Sequence, residues 1–244
     1  MKRKSIVAAL MVCAALLVPT MAMAAVKTAP APVKDKKIIR AVTVTPKMVN
    51  EGCTSVCFPQ VAIPENKAAG ERINTLMEEE LNTFLKPVEH AHRYGSGIAS
   101  VDKNIDKDKI TGDVNYEVMC NDKTIFSVII NEKMMTPHKD GKVYTGLFKK
   151  AMNFNTEGKA ISSKEWSKVA KVVNCVDPFS KANLKKAVEE NAKSHNYILP
   201  KDFEENLLEA RDNYYVDSTL GLHALYAPGM VAAESAGWID IKIG

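Results

Sequence analysis

Between Val114 and Asn155 the chain runs through three apolar segments separated by two turns, and this run limits the fold more than any other part of the sequence. In "VNYEVMC" Val114, Tyr116, Val118 and Cys120 fall on one face of a strand. "NDK" turns the chain, and "TIFSVIINEKMM" follows with almost unbroken apolar character, as expected of a central strand. "HKDGK" supplies a second turn at Asp140-Gly141, and "VYTGLFKKAMNFN" makes a third strand. Three antiparallel strands in succession form a meander whose inner face must be covered.

The flanking segments supply partners and cover. "IIRAVTVTPKMV" and "SVCFPQVAI" alternate and are β-branched, so they read as an N-terminal hairpin, with Pro46 and Pro59 at edges or bulges. From Asn66 the period changes: Ile73, Leu76, Met77, Leu81, Phe84 and Leu85 recur at three- and four-residue spacing opposite Glu78, Glu79 and Lys86, predicting an amphipathic helix that ends near Pro87. Ser162 and Glu165 form a capping-box pattern ahead of Trp166, Val169, Ala170 and Val173. "PFSKANLKKAVEENAKSH" and "PKDFEENLLEARD" predict two further helices, each opened by proline. The glycine-punctuated apolar ending, "NYYVDSTLGLHALYAP" and "GWIDIKI", returns to strand character and is expected to pair with the meander beneath the helices. The fold class is α+β, an antiparallel sheet of hairpin, meander and C-terminal strands covered by amphipathic helices.

The first 24 residues combine Lys2, Arg3 and Lys4, an apolar run from Ile6 to about Val18, and Ala22-Met23-Ala24, the layout of a signal peptide cleaved after Ala24. Pro19 interrupts the run before it could span a bilayer. Residues 25–36 read as a flexible Ala/Pro/Lys tether and residues 37–244 as a single domain. Such a chain is exported, to a periplasm or beyond, and keeps no transmembrane segment. Three of the 33 basic residues lie in the leader, so 30 remain against 29 acidic ones, which excludes the electrostatic footprint of a nucleic-acid binder. Cys53, Cys57, Cys120 and Cys175 remain in the exported part, and an even count outside the cytosol predicts disulfides. Three connectivities are open. A turn at "CTSVC" favours Cys53 with Cys57, leaving Cys120 with Cys175, and C-x3-C with two distant singles fits a structural zinc site poorly.

Two stretches carry a family likeness. "NYEVMCNDKTIFSVIINEKMMTPHKDGKVYTGLFKKAMNFNTEGKAISSKEW" resembles the core of an extracellular domain of unknown function, shared by the lysozyme-binding part of the anti-sigma factor RsiV and the N-terminal part of the peptidoglycan deacetylase PdaC. The matching positions are Ser127, Asn153-Phe154 and Thr156-Glu157-Gly158-Lys159. "NYYVDSTLGLHALYAPGMVAAESAGWIDIKI" is similar to that domain's ending: a tyrosine-rich strand, a Gly-Leu step, an aromatic-Pro corner and an Ala-Gly before the last strand. The corner reads Tyr226-Ala227-Pro228-Gly229 where the family tends to have a further Tyr-Glu, and nothing resembles the sigma-binding half or a deacetylase domain. The resemblance implies an envelope module whose partner is a lysozyme-like protein or peptidoglycan. Its motifs specify fold rather than activity.

Chemistry-bearing residues are sparse. His90 and His92 would share a face on a strand and could chelate one ion, but no carboxylate motif accompanies them, so no metal or other cofactor is assigned. Asp217, Ser218 and His223 are the residue types of a catalytic triad without a nucleophile elbow. Glu78, Glu79 and Glu80 lie on the polar side of the long helix rather than across a cleft from one another. Tyr144, Tyr214, Tyr215, Tyr226 and Trp238 are candidates for a recognition surface, since aromatic residues dominate binding hot spots. These residues favour a non-enzymatic binding module over the alternative, a hydrolase or deacetylase acting on peptidoglycan, and assign no catalytic residue.

Overall fold

The computed structural model describes residues 42–94 and 104–244. The expected leader and tether, residues 1–36, lie outside the described residues. Strands β1 (Thr43–Glu51) and β2 (Thr54–Ala62) form the N-terminal hairpin, with Pro46 directly opposite Pro59. The turn is Gly52-Cys53, where Gly52 takes φ +54°, so "TSVC" is strand and not turn. Helix α1 (Lys67–Tyr94) then crosses back, and β2 pairs in parallel with β3 (Thr111–Asn121) over Thr54–Val56. Strands β4 (Ile125–Pro137) and β5 (Val143–Asn155) complete the meander, giving a five-stranded sheet in the order β1-β2-β3-β4-β5.

Helix α1 covers one face of this sheet by burying Ile73, Met77, Phe84 and Val88 against Val56, Phe58, Val114, Phe126, Val128 and Ile130. It does not stop at Pro87. A proline inside a helix forfeits one backbone hydrogen bond and costs about 3 kcal/mol, yet Val88 and Ala91 beyond it are buried, and that packing carries the helix to Tyr94. Gly112 of β3 leaves room for Val88, whose methyl carbon would lie 3.0 Å from any Cβ there.

The expected single face of β3 is broken by a register shift between Val118 and Cys120. Tyr116 packs with the α1 core, whereas Cys120 is rotated into the core on the other side. A bulge of this kind inserts one residue, and every side chain after it changes face.

The C-terminal strands do not join the meander's ladder. Strands β6 (Tyr214–Val216), β7 (Leu222–Tyr226) and β8 (Ile239–Lys242) pair with one another as a separate antiparallel sheet. Tyr215 and Leu225 of this sheet pack against Ile129 and Ala151 of the meander. Its far side buries Leu222, Ala224, Tyr226 and Ile241 together with Phe179, Leu184 and Val188. Leu184 and Val188 come from α3 (Lys181–His195), capped by Ser180, whose hydroxyl accepts from Asn183 N–H. The capping box of α2 (Ser163–Val172) is present, with Ser162 N–H donating to the Glu165 carboxylate at 2.7 Å. The last predicted helix splits into the single turn α4 (Phe203–Asn206) and a tighter 3-10 segment, Leu207–Arg211.

Side chains replace the missing ladder between the two sheets. Ser127 on β4 donates to Asn153 Oδ1 on β5 at 2.7 Å and accepts from Val216 N–H at 3.1 Å, while Asn153 Nδ2 donates to the Tyr214 carbonyl at 2.7 Å. Asn213 then acts as a one-residue strand on the free edge of β5: Ala151 N–H donates to its Oδ1 and its Nδ2 donates to the Lys149 carbonyl. Trp238 donates to the Leu147 carbonyl, and Ile161 and Lys159 bond the edge at Asn153 and Asn155. Each odd-numbered residue of β5 from Leu147 inward is thus tied at its outer edge by at least one of these bonds.

Candidate functional site

The densest cluster of ionisable groups sits on the C-terminal sheet. His223 on β7 faces Asp217, which follows β6, and Asp240 on β8. Its Nδ1 lies 2.9 Å from Asp240 Oδ1 and its Nε2 lies 3.1 Å from Asp217 Oδ2. Ionised carboxylates only accept, so the imidazole donates from both nitrogens and is held as a cation. Burial alone would lower the His223 pKa, but the hydrogen bond and charge of Asp240, followed by those of Asp217, outweigh it and the net shift is upward. Tyr215 stacks on the ring at 4.7 Å and donates its hydroxyl to Asp240 Oδ2 at 2.6 Å. Burial, then that bond and the negative charge around it, raise the Tyr215 pKa.

The loop after β6 fixes Asp217. Burial would push its pKa up, but hydrogen bonds from the Thr219 hydroxyl and from the Gly221 and Thr219 amides dominate, with His223 adding to them, so the carboxylate is held well below its usual range. A side chain at Gly221 would meet Lys242 Nζ at 2.7 Å and Asp217 Oδ2 at 2.8 Å, so the Gly-Leu step is what lets these charges converge. This arrangement is closed. Both imidazole nitrogens are taken by carboxylates, leaving none to activate Ser218, and the triad residue types therefore do not make a triad.

The other candidates are dispersed. His90 and His92 lie on α1 rather than a strand, so they point about 200° apart around the helix axis. His90 packs on the Tyr94 ring and His92 Nδ1 lies 3.1 Å from the Ile110 carbonyl. Among the described residues no group of three or more His, Cys, Asp or Glu is placed to hold a metal ion. The four cysteines are free. Cys53 closes the hairpin turn and Cys57 lies three residues into β2 from Thr54, roughly 10 Å of strand further on, beyond the reach of a disulfide. Cys120 is buried on β3, and burial, then the charge of Asp122, lifts its thiol to about 11. Cys175 follows α2, its thiol against the Val173 carbonyl.

Of the three glutamates, Glu78 pairs with Lys47 at 3.5 Å and Glu79 faces solvent. Glu80 instead lies close enough to Glu132 on β4 to repel it. Glu132 is only 8% exposed, and its Oε1 has no hydrogen-bond partner. Burial first, then Glu80, raise its pKa to about 7 against the opposing pull of Lys150. Glu80 lies on α1 and Glu132 on β4, the latter buried, and neither lines the cleft between α1 and the N-terminal hairpin. That cleft, of 250 Å³, carries Glu51, Glu78 and Glu89 beside Lys47, and the charge of Glu78 is already paired there.

The five aromatic candidates do not form one surface. Tyr226 is fully buried and donates to the Leu207 carbonyl; Tyr214 is buried, donates to the Ile161 carbonyl and accepts from Trp166; Tyr215 serves Asp240. Burial holds the pKa of Tyr214 and of Tyr226 above the ordinary tyrosine value. Tyr144 alone is well exposed, its ring 4.5 Å from that of His138 and tilted against it by 48°. It belongs to a patch that the aromatic pattern misses: Val143, Tyr144, Leu147 and Phe148, in the outer half of β5, are 55%, 57%, 55% and 50% exposed. Odd and even positions of a strand face opposite sides, so the patch covers both faces. The signal for it is present in "KVYTGLFKK", which is apolar without alternation yet lies at a sheet edge.

No family profile matches the sequence, and no curated protein matches it. Among solved structures, the fold is similar to a member of the DUF3298 family from Bacteroides fragilis, at TM-score 0.56 and 12% identity over 85% of this chain and 92% of that one. A DUF3298 protein from Pseudomonas aeruginosa is also similar, at TM-score 0.45 and 11% identity over 86% and 91% of the two chains.

Proposed function

We propose that this chain is an exported binding module of the cell envelope that engages its partner through the outer half of the β4–β5 hairpin. The observation that carries the reading is the patch of Val143, Tyr144, Leu147 and Phe148, four large apolar side chains half exposed or more within six consecutive residues, two on each face of the strand. Contiguous exposed apolar groups of this kind mark interaction sites. The ionisable cluster around His223 is internally neutralised and closed, which supports binding over hydrolysis. The likeness of the meander and C-terminal stretches to the domain shared by RsiV and PdaC supports an envelope setting, with a lysozyme-like protein or peptidoglycan as the partners to test first.

Retention of the mature protein on immobilised lysozyme and on purified peptidoglycan, read at low and high salt, tests this. Apolar contact persists where surface charge attraction is screened. The expected result is retention at high salt that is lost in Leu147→Ser/Phe148→Ser. Product release from peptidoglycan by the purified protein, or retention indifferent to these substitutions, would overturn it.

A further inference from the structure

The free edge of β5 has two parts. From Leu147 inward every odd-numbered residue has at least one outward-pointing backbone group bonded: the Leu147 carbonyl to Trp238, the Lys149 carbonyl and the Ala151 N–H to Asn213, the Asn153 carbonyl to Ile161, and the Asn155 N–H to Lys159. Lys142 points the other way, its carbonyl accepting from His138 N–H. Backbone groups alternate sides along a strand, so the N–H and C=O of Val143 and Thr145 also face outward, and among the described residues no hydrogen bond reaches them. A bare sheet edge is a template for one more strand.

Its flanks say what kind of strand. "KVYTGLFKK" carries Lys142 at one end and Lys149 and Lys150 at the other, with no acidic residue between. Lys142 has a weak local partner in Asp140 at 3.1 Å, both groups being half exposed or more; Lys149 has no ion pair among the described residues, and Lys150 reaches only the Asp212 carbonyl. A second copy pairing antiparallel about Thr145 would set Lys142 against the partner's lysine end, and like charges opposed across strands repel. The opposite edge of the same sheet, β1, contains Pro46 and Lys47 and is mostly exposed and polar, which blunts it against addition.

We infer that Val143–Leu147 is a docking edge that takes an extended segment of another protein as a sixth strand, a segment with an apolar centre and acidic ends. Main-chain bonds to Val143 and Thr145 would hold it, the apolar side chains on both faces would flank it, and Lys142 and Lys149 would select its charge. The inference rests on the binding role proposed above and names its chemistry.

The probe is a short synthetic peptide with acidic ends and a centre of alternating valine and threonine, titrated into the mature protein while amide exchange is followed. Exchange at Val143 and Thr145 is expected to slow on titration. A matched peptide with basic ends is expected to bind at least tenfold more weakly, and Lys142→Glu/Lys149→Glu to reverse that preference. Thr145→Pro removes an outward N–H without touching the β4 ladder, and is expected to abolish protection while the protein still melts cooperatively. Should that variant fail to fold, the charge-reversal arm decides alone. Equal binding of both peptides, or binding untouched by Thr145→Pro, overturns the inference. So does protection without peptide: if it rises with protein concentration the edge pairs with a second copy, and if it is independent of concentration the chain's own segment fills it. Retention on lysozyme or peptidoglycan that survives Thr145→Pro would sink the edge alone and leave the binding role standing.

Discussion

In the inner half of the β4–β5 hairpin, Ile129 and Ala151 face one another across the ladder, both buried beneath the C-terminal sheet, and the edge beyond them is capped by Asn213. In the outer half the same ladder joins Met135 to Thr145 and Lys133 to Leu147, yet the C-terminal sheet has ended, and Val143, Leu147 and Phe148 stand half exposed or more. The strand geometry is shared and the register unbroken. What differs is the second layer. Burial of apolar surface at about 25 cal/mol per Å² belongs to the inner half, so stability is concentrated there while the outer half is left available for contact.

The sharpest way to break this comparison is to remove the inner polar seam. Asn153→Ala strips Ser127 of its acceptor and the Tyr214 carbonyl of its donor, both in a buried site. Unsatisfied buried groups cost about 1–3 kcal/mol each, so urea unfolding should show a loss of roughly 3 kcal/mol. Leu147→Ala in the outer half should stay within about 0.5 kcal/mol. Equal effects would mean that the two halves are not distinct.

Glu132 lies on the boundary, opposite Phe148, and its effect should be the next largest. Its pKa rises from 4.5 to about 7 in the folded protein, chiefly through burial. The folded state therefore prefers the protonated acid: this group favours folding below about 4.5 and withdraws that support as pH rises toward 7. Glu132→Gln should stabilise the protein at pH 8 by on the order of 2 kcal/mol, less than the roughly 3 kcal/mol that the full shift is worth at about 1.4 kcal/mol per unit, because the amide also leaves a polar atom unbonded there, with little change at pH 4. A variant no more stable than the parent at pH 8 would show that the carboxylate finds a partner.

How much of this contrast can be read from residues alone varies with the range of the interaction. The meander, the N-terminal hairpin and the Ser162–Glu165 cap follow from alternation and local spacing, and they are present. The Pro87 stop fails because Val88 and Ala91 are buried by β3 and the segment after α1, contacts no local pattern reports. That error also misplaces His90 and His92. The bulge before Cys120 and the separation of the C-terminal sheet escape for the same reason, since β-branched strands look alike whichever sheet they join. The aromatic residues show it most plainly: Tyr144, Tyr214 and Tyr226 all lie on strands, and only the third dimension separates an exposed ring from two that cap carbonyls inside the core.

The C-terminal sheet contributes a smaller, pH-dependent share. The folded pKa of His223 is raised, so its ion pairs favour folding fully below the ordinary histidine value of 6.5 and fade as pH rises through the folded value. His223→Gln should therefore cost about 1 kcal/mol near pH 5.5, within the range for partly buried charge-assisted hydrogen bonds, and less at pH 9. Its slope runs in a higher window than that of Glu132, so the double variant should separate the two by pH. A cost that does not change with pH would mean that the ring is held by packing on Tyr215 rather than by charge.

The smallest change in stability should come from Trp238, which sits where the closed edge becomes open. Its indole donates to the Leu147 carbonyl, and Trp238→Phe keeps a ring against Ile129 and Leu225 while deleting that single bond at a half-exposed site. The cost should be under about 1 kcal/mol, the net worth of one such hydrogen bond. Its effect on the edge should be larger than on the fold. Freeing the Leu147 carbonyl lengthens the unpaired run of β5 by one acceptor, so the variant should protect Val143 and Thr145 at lower peptide concentration, and light scattering should rise sooner on warming. If stability falls by several kcal/mol instead, Trp238 belongs to the inner half and the boundary lies further out along the hairpin. If neither stability nor edge binding moves, the indole bond does not mark the boundary at all, and the division of the hairpin rests on apolar burial alone.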